Sequence, residues 1–162
     1  MALVSASLQA AFLRFSTTQK PGSPTEAANN IASAYEQYAL TATAGPGMLV
    51  SPGPARAAMA QPLAAAFSMS PGVPATVAAA YAAMLTSFWG AATFVGPGPG
   101  IAAPPIGVGV LIPLVTTILL NTNNTAASYA QQMATALDTC TKTVLVTYTL
   151  PPPAPPIIAP VS

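Results

Sequence analysis

A long central segment of the chain has no charged side chain, and this feature limits what the chain can fold into. No Asp, Glu, Lys, Arg or His occurs from Ala57 to Leu137, and all 162 residues together include four basic and three acidic side chains. Soluble domains normally have about a quarter of their residues charged, because charge solvates a free surface and keeps copies apart. We therefore expect lipid or other protein to cover much of the surface.

The composition fits one domain without a nucleic-acid-binding surface. The chain is long enough to bury a core of its own, although Ala makes up much of its 52% apolar content. Binding of phosphate requires several Lys or Arg side chains on one face, whereas the four basic residues here are scattered along the sequence. We expect a single, mainly helical domain over residues 1–150, followed by a Pro-rich extended arm over residues 151–162.

Hydrophobic spacing and capping residues predict the first helices. Apolar residues over 2–17 recur at helical spacing. Ser23-Pro24-Thr25-Glu26 then has the pattern of a capping box, with Pro at the first helical position. The helix that follows places Tyr35 and Tyr38 on its apolar face. Both side chains are predicted to pack against neighbouring helices.

Two Ala-rich segments and one later segment predict further helices, for a total of four or five. The Ala-rich helices follow Pro-Gly turns at 52–54 and 71–74, and Pro62 is expected to kink the first of them. The similar turns suggest a degenerate tandem repeat, but Ala-rich sequence matches itself too easily to establish one. Residues 124–141 have one apolar and one polar face, and the Asn-rich run before them is typical of a helix cap.

The remaining segments predict little sheet. Gly96-Pro97-Gly98-Pro99-Gly100 is the strongest break in the chain and is interpreted as a stiff hinge that leads into an extended arm. Thr143 to Leu150 has the composition of a strand, whereas the polyproline-like tail after it is not expected to continue a sheet. The predicted fold class is therefore mainly α: a small helical domain with one C-terminal strand and extended Pro-rich arms.

No combination of residues predicts a catalytic or cofactor site. Acid–base catalysis needs two titratable groups at one place, yet the sequence has no His and only three carboxylates. Glu26 and Glu36 would lie about 15 Å apart along one helix, and Asp138 with Lys142 fits an exposed i,i+4 ion pair. Cys140 is interpreted as a buried packing residue. We expect no enzyme activity, no cofactor, no metal and no small-molecule substrate.

Two windows, Val77–Gly96 and Ile101–Leu120, are long enough to span a bilayer. Together they would form a helical hairpin over residues 77–120, as in a small holin-like membrane protein. Ala dominates the first window and Pro and Gly interrupt the second, and both features oppose insertion. Neither window has a flanking Lys or Arg that would set its topology. The membrane hairpin is kept as the alternative to protein assembly.

Assembly with other protein explains more of the sequence. Charge is depleted at the centres of protein interfaces, and pre-extended Pro-rich segments lose little entropy when they order on a neighbour. The strand at 143–150 could also add to the edge of a partner's sheet. The residues expected to contact partners in these ways, besides the two helix-packing tyrosines, are Val144, Val146 and Tyr148 in the strand and Pro151, Pro152, Pro153, Pro155 and Pro156 in the arm.

Three segments resemble small virion structural proteins of tailed bacteriophages. They are the opening MALVSASLQAAF, the helix segment Ala34–Ala39 and the aliphatic, Thr-rich strand Lys142–Thr149. The resemblance implies a non-enzymatic subunit of the head, neck, tail or baseplate, located in the virion and assembled in the host cytoplasm. Its implied partners are copies of itself and other virion proteins. Trp89-Gly90 also resembles the turn of mycobacterial secreted Ala-rich helical proteins, although the residues after it do not match that pattern.

Overall fold

The structure is a computed structural model that describes residues 3–51, 55–69 and 72–162. The turn predicted at 52–54 and the start of the turn predicted at 71–74 lie outside these residues. The described chain forms six helices and one antiparallel sheet of six strands. The helices are α1 Ser5–Thr17, α2 Pro24–Ala39, α3 Ala55–Phe67, α4 Pro74–Ala91, α5 Val108–Leu120 and α6 Ala126–Thr141. The strands are β1 Thr43–Ala44, β2 Gly47–Ser51, β3 Thr93–Val95, β4 Pro99–Ala102, β5 Leu145–Tyr148 and β6 Ile157–Pro160.

The order of elements is a threefold repetition of two helices followed by a β-hairpin. The first unit contains α1, α2, β1 and β2, and the second and third units repeat this order. Each helix packs against the next along the chain, and α1 packs against α6, so the helices form a ring. The structural repeat is thus much longer than the one suggested by the Pro-Gly turns.

Local capping chemistry sets where the helices begin. At the start of α2, the Ser23 hydroxyl accepts a hydrogen bond from the Glu26 N–H at 3.1 Å. The Glu26 carboxylate accepts one from the Gly22 N–H at 2.7 Å, one residue earlier than in a standard capping box. At the start of α6, Thr125 is the cap and accepts from the Ser128 N–H. The predicted helix over 124–141 therefore begins slightly later, at Ala126.

The six strands follow one another in chain order and curl into a nearly closed barrel. The seam lies between β1 and the chain just after β6, where Ala44 pairs with Val161 in an isolated bridge. Next to the bridge, Thr43 and Ser162 exchange two backbone hydrogen bonds of 3.0 and 2.8 Å. The sheet therefore meets itself across a seam that is only a few residues long.

The predicted fold class is wrong in its β content, although helices do predominate. One C-terminal strand was expected, and the sheet has six. The GPGPG run is the β3–β4 hairpin rather than a hinge, and the tail predicted as an arm contributes β6. The strands are too short for two-residue alternation to stand out from the sequence. Pro99 and Pro160 are tolerated because each lies at an end of its strand.

Tyr148 fills the interior of the barrel. Its side chain is fully buried, and its hydroxyl donates a hydrogen bond to the Ala44 carbonyl at 2.7 Å. Three glycines of neighbouring strands and turns face its ring: a Cβ on Gly47, Gly96 or Gly100 would lie 2.2, 3.0 or 2.6 Å from an atom of Tyr148. Glycine is needed at these positions because the aromatic ring occupies the space of their missing side chains.

A buried hydrogen-bond chain joins three helices of the bundle. The Trp89 Nε1–H donates to the Tyr35 hydroxyl at 2.7 Å, and the Thr141 hydroxyl donates to the Leu137 carbonyl at 2.8 Å. Since the Thr141 proton is engaged there, the 2.7 Å contact between Tyr35 and Thr141 must be donated by Tyr35. The chain satisfies every polar group in it, which a buried cluster requires.

A second tyrosine links the bundle to one of its few charges. The Tyr38 hydroxyl donates to Asp138 Oδ1 at 2.6 Å, and Lys142 Nζ lies 2.7 Å from Asp138 Oδ2. The ion pair predicted for Asp138 and Lys142 is present. The aspartate, however, is largely buried, while the lysine is exposed. Both predicted helix-packing tyrosines are therefore core residues that reach α6.

Buried tyrosines and the one cysteine predict a loss of stability in alkali. Burial raises the pKa of the Cys140 thiol from 9.0 to about 11, and burial also raises the pKa values of Tyr35 and Tyr81 above 10.0. Because these groups deprotonate more readily when unfolded, their contribution is complete below about pH 9 and falls as the pH rises further. Between pH 7 and pH 10 the thiol alone should lower the free energy of unfolding by about 1.4 kcal/mol.

Urea titrations of the wild type and Cys140→Ala at both pH values measure this effect. The variant should lose less stability than the wild type between pH 7 and pH 10, and the difference isolates the thiol from the tyrosines. Equal losses in the two proteins would contradict the prediction.

Candidate interaction surface

The outside of the barrel is an exposed apolar sheet face. Side chains alternate along β5, so that Val146 and Tyr148 point inward while Leu145 and Thr147 point outward. An exposed antiparallel face is normally polar, but here its large side chains are apolar. We call five of them the outer barrel face, and each is more than half exposed: Met48, Val50, Val95, Ile101 and Ile158.

Strand register places these side chains in continuous rows. Ile101 of β4 lies opposite Thr93 of β3 on one side and Thr147 of β5 on the other. Ile158 of β6 lies opposite Thr147, and all four of these residues are exposed. Directly opposed residues in a sheet lie about 5 Å apart, so the row crosses four strands without a gap. A second row on the same face contains Met48, Val95 and Pro99.

Charge is segregated away from this face. None of the six strands carries a charged residue, and neither do α4 and α5. The charged residues of the chain belong to α1, α2, α3 and α6 or to positions next to these helices. The surface around the barrel and α5 therefore lacks the repulsion that normally keeps copies of a protein apart.

Helix α5 carries further exposed apolar side chains beside a cleft. Ile106, just before the helix, and Val110 are among the most exposed apolar residues, at 76% and 71%. Two adjoining hollows of about 150 and 330 Å³ lie between α5 and α6. Leu114, Ala136 and Thr139 line both of them. The cleft has one apolar wall, from α5, and one wall of small or polar side chains, from α6.

Of the residues that the sequence predicted as partner contacts, those in the strand are buried and those in the arm are exposed. Val144, Val146 and Tyr148 are buried, and β5 pairs with β4 on one side and β6 on the other. A strand with both edges occupied has no open edge for a partner's sheet, so the predicted edge addition does not apply to this arrangement. The prolines of the predicted arm lie in the exposed connection from β5 to β6, and they are Pro151, Pro152, Pro153, Pro155 and Pro156.

The outer barrel face was not predicted from the sequence. In the sequence it is indicated only by short stretches with an apolar residue at every second position, such as Met48 and Val50, and by single apolar residues such as Val95. Such runs are ambiguous without knowledge of which face is buried. The strand at 143–150 was recognised, but its outward side chains Leu145 and Thr147 were not distinguished from its buried ones.

Neither segment of the predicted membrane hairpin is one continuous helix. Val77–Gly96 covers most of α4 together with β3, and Ile101–Leu120 covers the end of β4 together with α5. Across the described ranges, no helix combines the length and hydropathy needed to cross a bilayer. Within the same ranges, no group of three or more His, Cys, Asp and Glu side chains is placed to hold a metal.

Comparisons of the chain with protein-family models, with curated proteins and with solved structures gave no match.

Proposed function

We propose that this protein is a non-enzymatic structural subunit of a large assembly. In this role it packs against copies of itself and other subunits through the outer barrel face. The observation that carries the proposal is that this face is apolar, exposed and free of charge over several strands. Contiguous apolar patches of this kind mark interaction surfaces, and leaving one in water opposes solubility as a monomer.

The proposed partner surface is protein rather than lipid. Thr93 and Thr147 alternate with Ile101 and Ile158 along the main row. Hydroxyl groups at such positions can hydrogen bond to a protein partner, whereas lipid chains offer no partner. The proposed setting is the virion of a tailed bacteriophage, as a component of its head, neck, tail or baseplate. The resemblance of the first residues, the Ala34–Ala39 segment and the Thr-rich strand to such proteins supports this setting.

Charge placed on the outer barrel face should weaken self-association. In Ile101→Lys/Ile158→Lys, both substitutions are at exposed positions, so the free energy of unfolding should stay within about 0.5 kcal/mol of the wild type. Like charges brought together in an interface cost several kcal/mol, so the concentration for half-association should rise at least about tenfold. Light scattering over a concentration series measures the mass against the 16.1 kDa monomer.

A matched control adds the same charge elsewhere. Gln19→Lys/Gln37→Lys places two lysines at exposed positions on and near the charged helices, and it should associate like the wild type. A wild-type protein that stays at 16.1 kDa at every concentration would overturn the proposal. Flotation of that monomer with phosphatidylcholine vesicles would favour the lipid alternative.

A further inference from the structure

The connection from β5 to β6 differs from the other two hairpins. β1 and β2 are joined by residues 45–46, and β3 and β4 by residues 96–98. β5 and β6 are joined by the much longer segment 149–156, in which all residues from Pro151 to Pro156 are exposed. We propose that β6 exchanges between copies of this chain, so that the β6 of one copy pairs with the β5 of another.

The attachment of β6 to its own barrel is limited. On one side it pairs with β5 over four residues, from Tyr148↔Ile157 to Leu145↔Pro160. On the other side only the seam at Thr43 and Ala44 holds this end of the chain. Of the side chains from Ile157 to Val161, Ala159 and Val161 alone are buried. β6 and the residue after it therefore contribute two buried side chains to the core.

The connecting segment is long, exposed and rich in proline. Proline fixes its own φ angle and pushes the residue before it toward extended backbone. Six residues in polyproline conformation would span about 19 Å, whereas the paired ends of the hairpin lie about 5 Å apart. In the closed hairpin, a backbone hydrogen bond of 3.2 Å from the Ala154 N–H to the Pro151 carbonyl closes a turn. The segment therefore forms a turn in the closed hairpin and is long enough to carry β6 to another copy when it extends.

Exchange would preserve the contacts of the closed barrel. The β5–β6 pairing and the seam would form again between copies. The equilibrium between the closed single chain and the exchanged copies therefore depends on the connection 149–156 and on protein concentration. This is the general energetic reason that segment exchange is a low-cost route to assembly. The inference rests on the proposed self-association and names the element that would link the copies.

The test uses cysteines in separate chains. Thr147 and Ile158 face each other across β5 and β6, and both are exposed. Opposed residues in a sheet lie within the separation that a disulfide spans. Full-length Thr147→Cys and Ile158→Cys proteins, each also carrying Cys140→Ala, are mixed, incubated at high concentration and oxidised with glutathione disulfide. A disulfide-linked heterodimer on a non-reducing gel is the expected result.

The matched control replaces Ile158→Cys with Ile101→Cys. Ile101 also faces Thr147, but across β4 and β5, which belong to the part of the barrel that does not exchange. Cross-linking of the Thr147–Ile158 pair without the Thr147–Ile101 pair supports exchange. Equal cross-linking of both pairs would indicate face-to-face packing and would overturn exchange while supporting the proposed function.

Two further measurements separate the possible failures. At low concentration, a single chain with both Thr147→Cys and Ile158→Cys should form a monomeric internal disulfide, which verifies that the variants fold and keep the register. Self-association by light scattering without any heterodimer overturns exchange and leaves the proposed function standing. The absence of self-association overturns both.

Discussion

Gly100→Ala should destabilise the protein by about 1–3 kcal/mol, with the upper end expected. A Cβ at this position would lie 2.6 Å from Tyr148 Cε1, 2.8 Å from Tyr148 Cδ1 and 3.0 Å from Phe94 Cβ. Tyr148 and Phe94 are both buried inside the barrel, so neither can swing into solvent to make room. Chemical denaturation gives the free energy of unfolding directly.

Gly90→Ala supplies a control of opposite sign. Gly90 lies in α4, and a Cβ there would meet nothing within 4 Å. Alanine is favoured over glycine in helices by roughly 0.5–1 kcal/mol, so this variant should match or exceed the wild type. In a Tyr148→Leu background the cost of Gly100→Ala should fall, because the ring that crowds the new methyl group is gone. An equal cost in both backgrounds would contradict the packing explanation.

Tyr35→Phe should cost about 1–3 kcal/mol, although it removes a single oxygen atom. The lost hydroxyl accepts from Trp89 and donates to Thr141. The Trp89 N–H would remain buried without an acceptor, since the indole is fully enclosed. The cost of leaving a buried donor unsatisfied exceeds the net value of an ordinary hydrogen bond.

Tyr38→Phe is the matched comparison for Tyr35→Phe. It also deletes one hydroxyl, but Asp138 keeps its ion pair with Lys142 and is partly open to solvent. Because hydrogen bonds to charged groups are worth about 1.5–3 kcal/mol, its cost should be of similar size to that of Tyr35→Phe. A double-mutant cycle of Tyr35→Phe with Trp89→Phe should give a coupling of at least about 0.5 kcal/mol. Additive effects would show that the two side chains do not share the hydrogen bond.

The helical half of the fold could be predicted because its signals are long and local. The capping residues before α2 and the apolar face of that helix extend over several turns, and Tyr35 and Tyr38 occupy the face that the spacing indicates. For α6, the helix was expected to begin at residue 124, and the observed cap is the next residue, Thr125. Such patterns depend on near neighbours in the sequence, so they can be recognised without knowing which elements the helix packs against.

The barrel could not be predicted because its strands depend on distant partners. β3 has three residues and lies directly beside the GPGPG run, in which glycine and proline usually indicate a break. Gly96 and Gly100 are there because they face the ring of Tyr148, which is about fifty residues away in the sequence. The outer barrel face was missed for the same reason: Ile101 and Ile158 become neighbours of Thr147 only after the strands have paired.

The threefold repetition of two helices and a hairpin has a consequence for how stability depends on concentration. A closed ring built from three separate hairpin-bearing chains would fall apart on dilution, because association follows mass action. Here the units are linked within one polypeptide, so each meets the others at the effective concentration that a short connection provides. The ring should therefore hold together in a single chain at high dilution. Under the proposed self-association, assembly can then respond to concentration without changing the fold of the single chain.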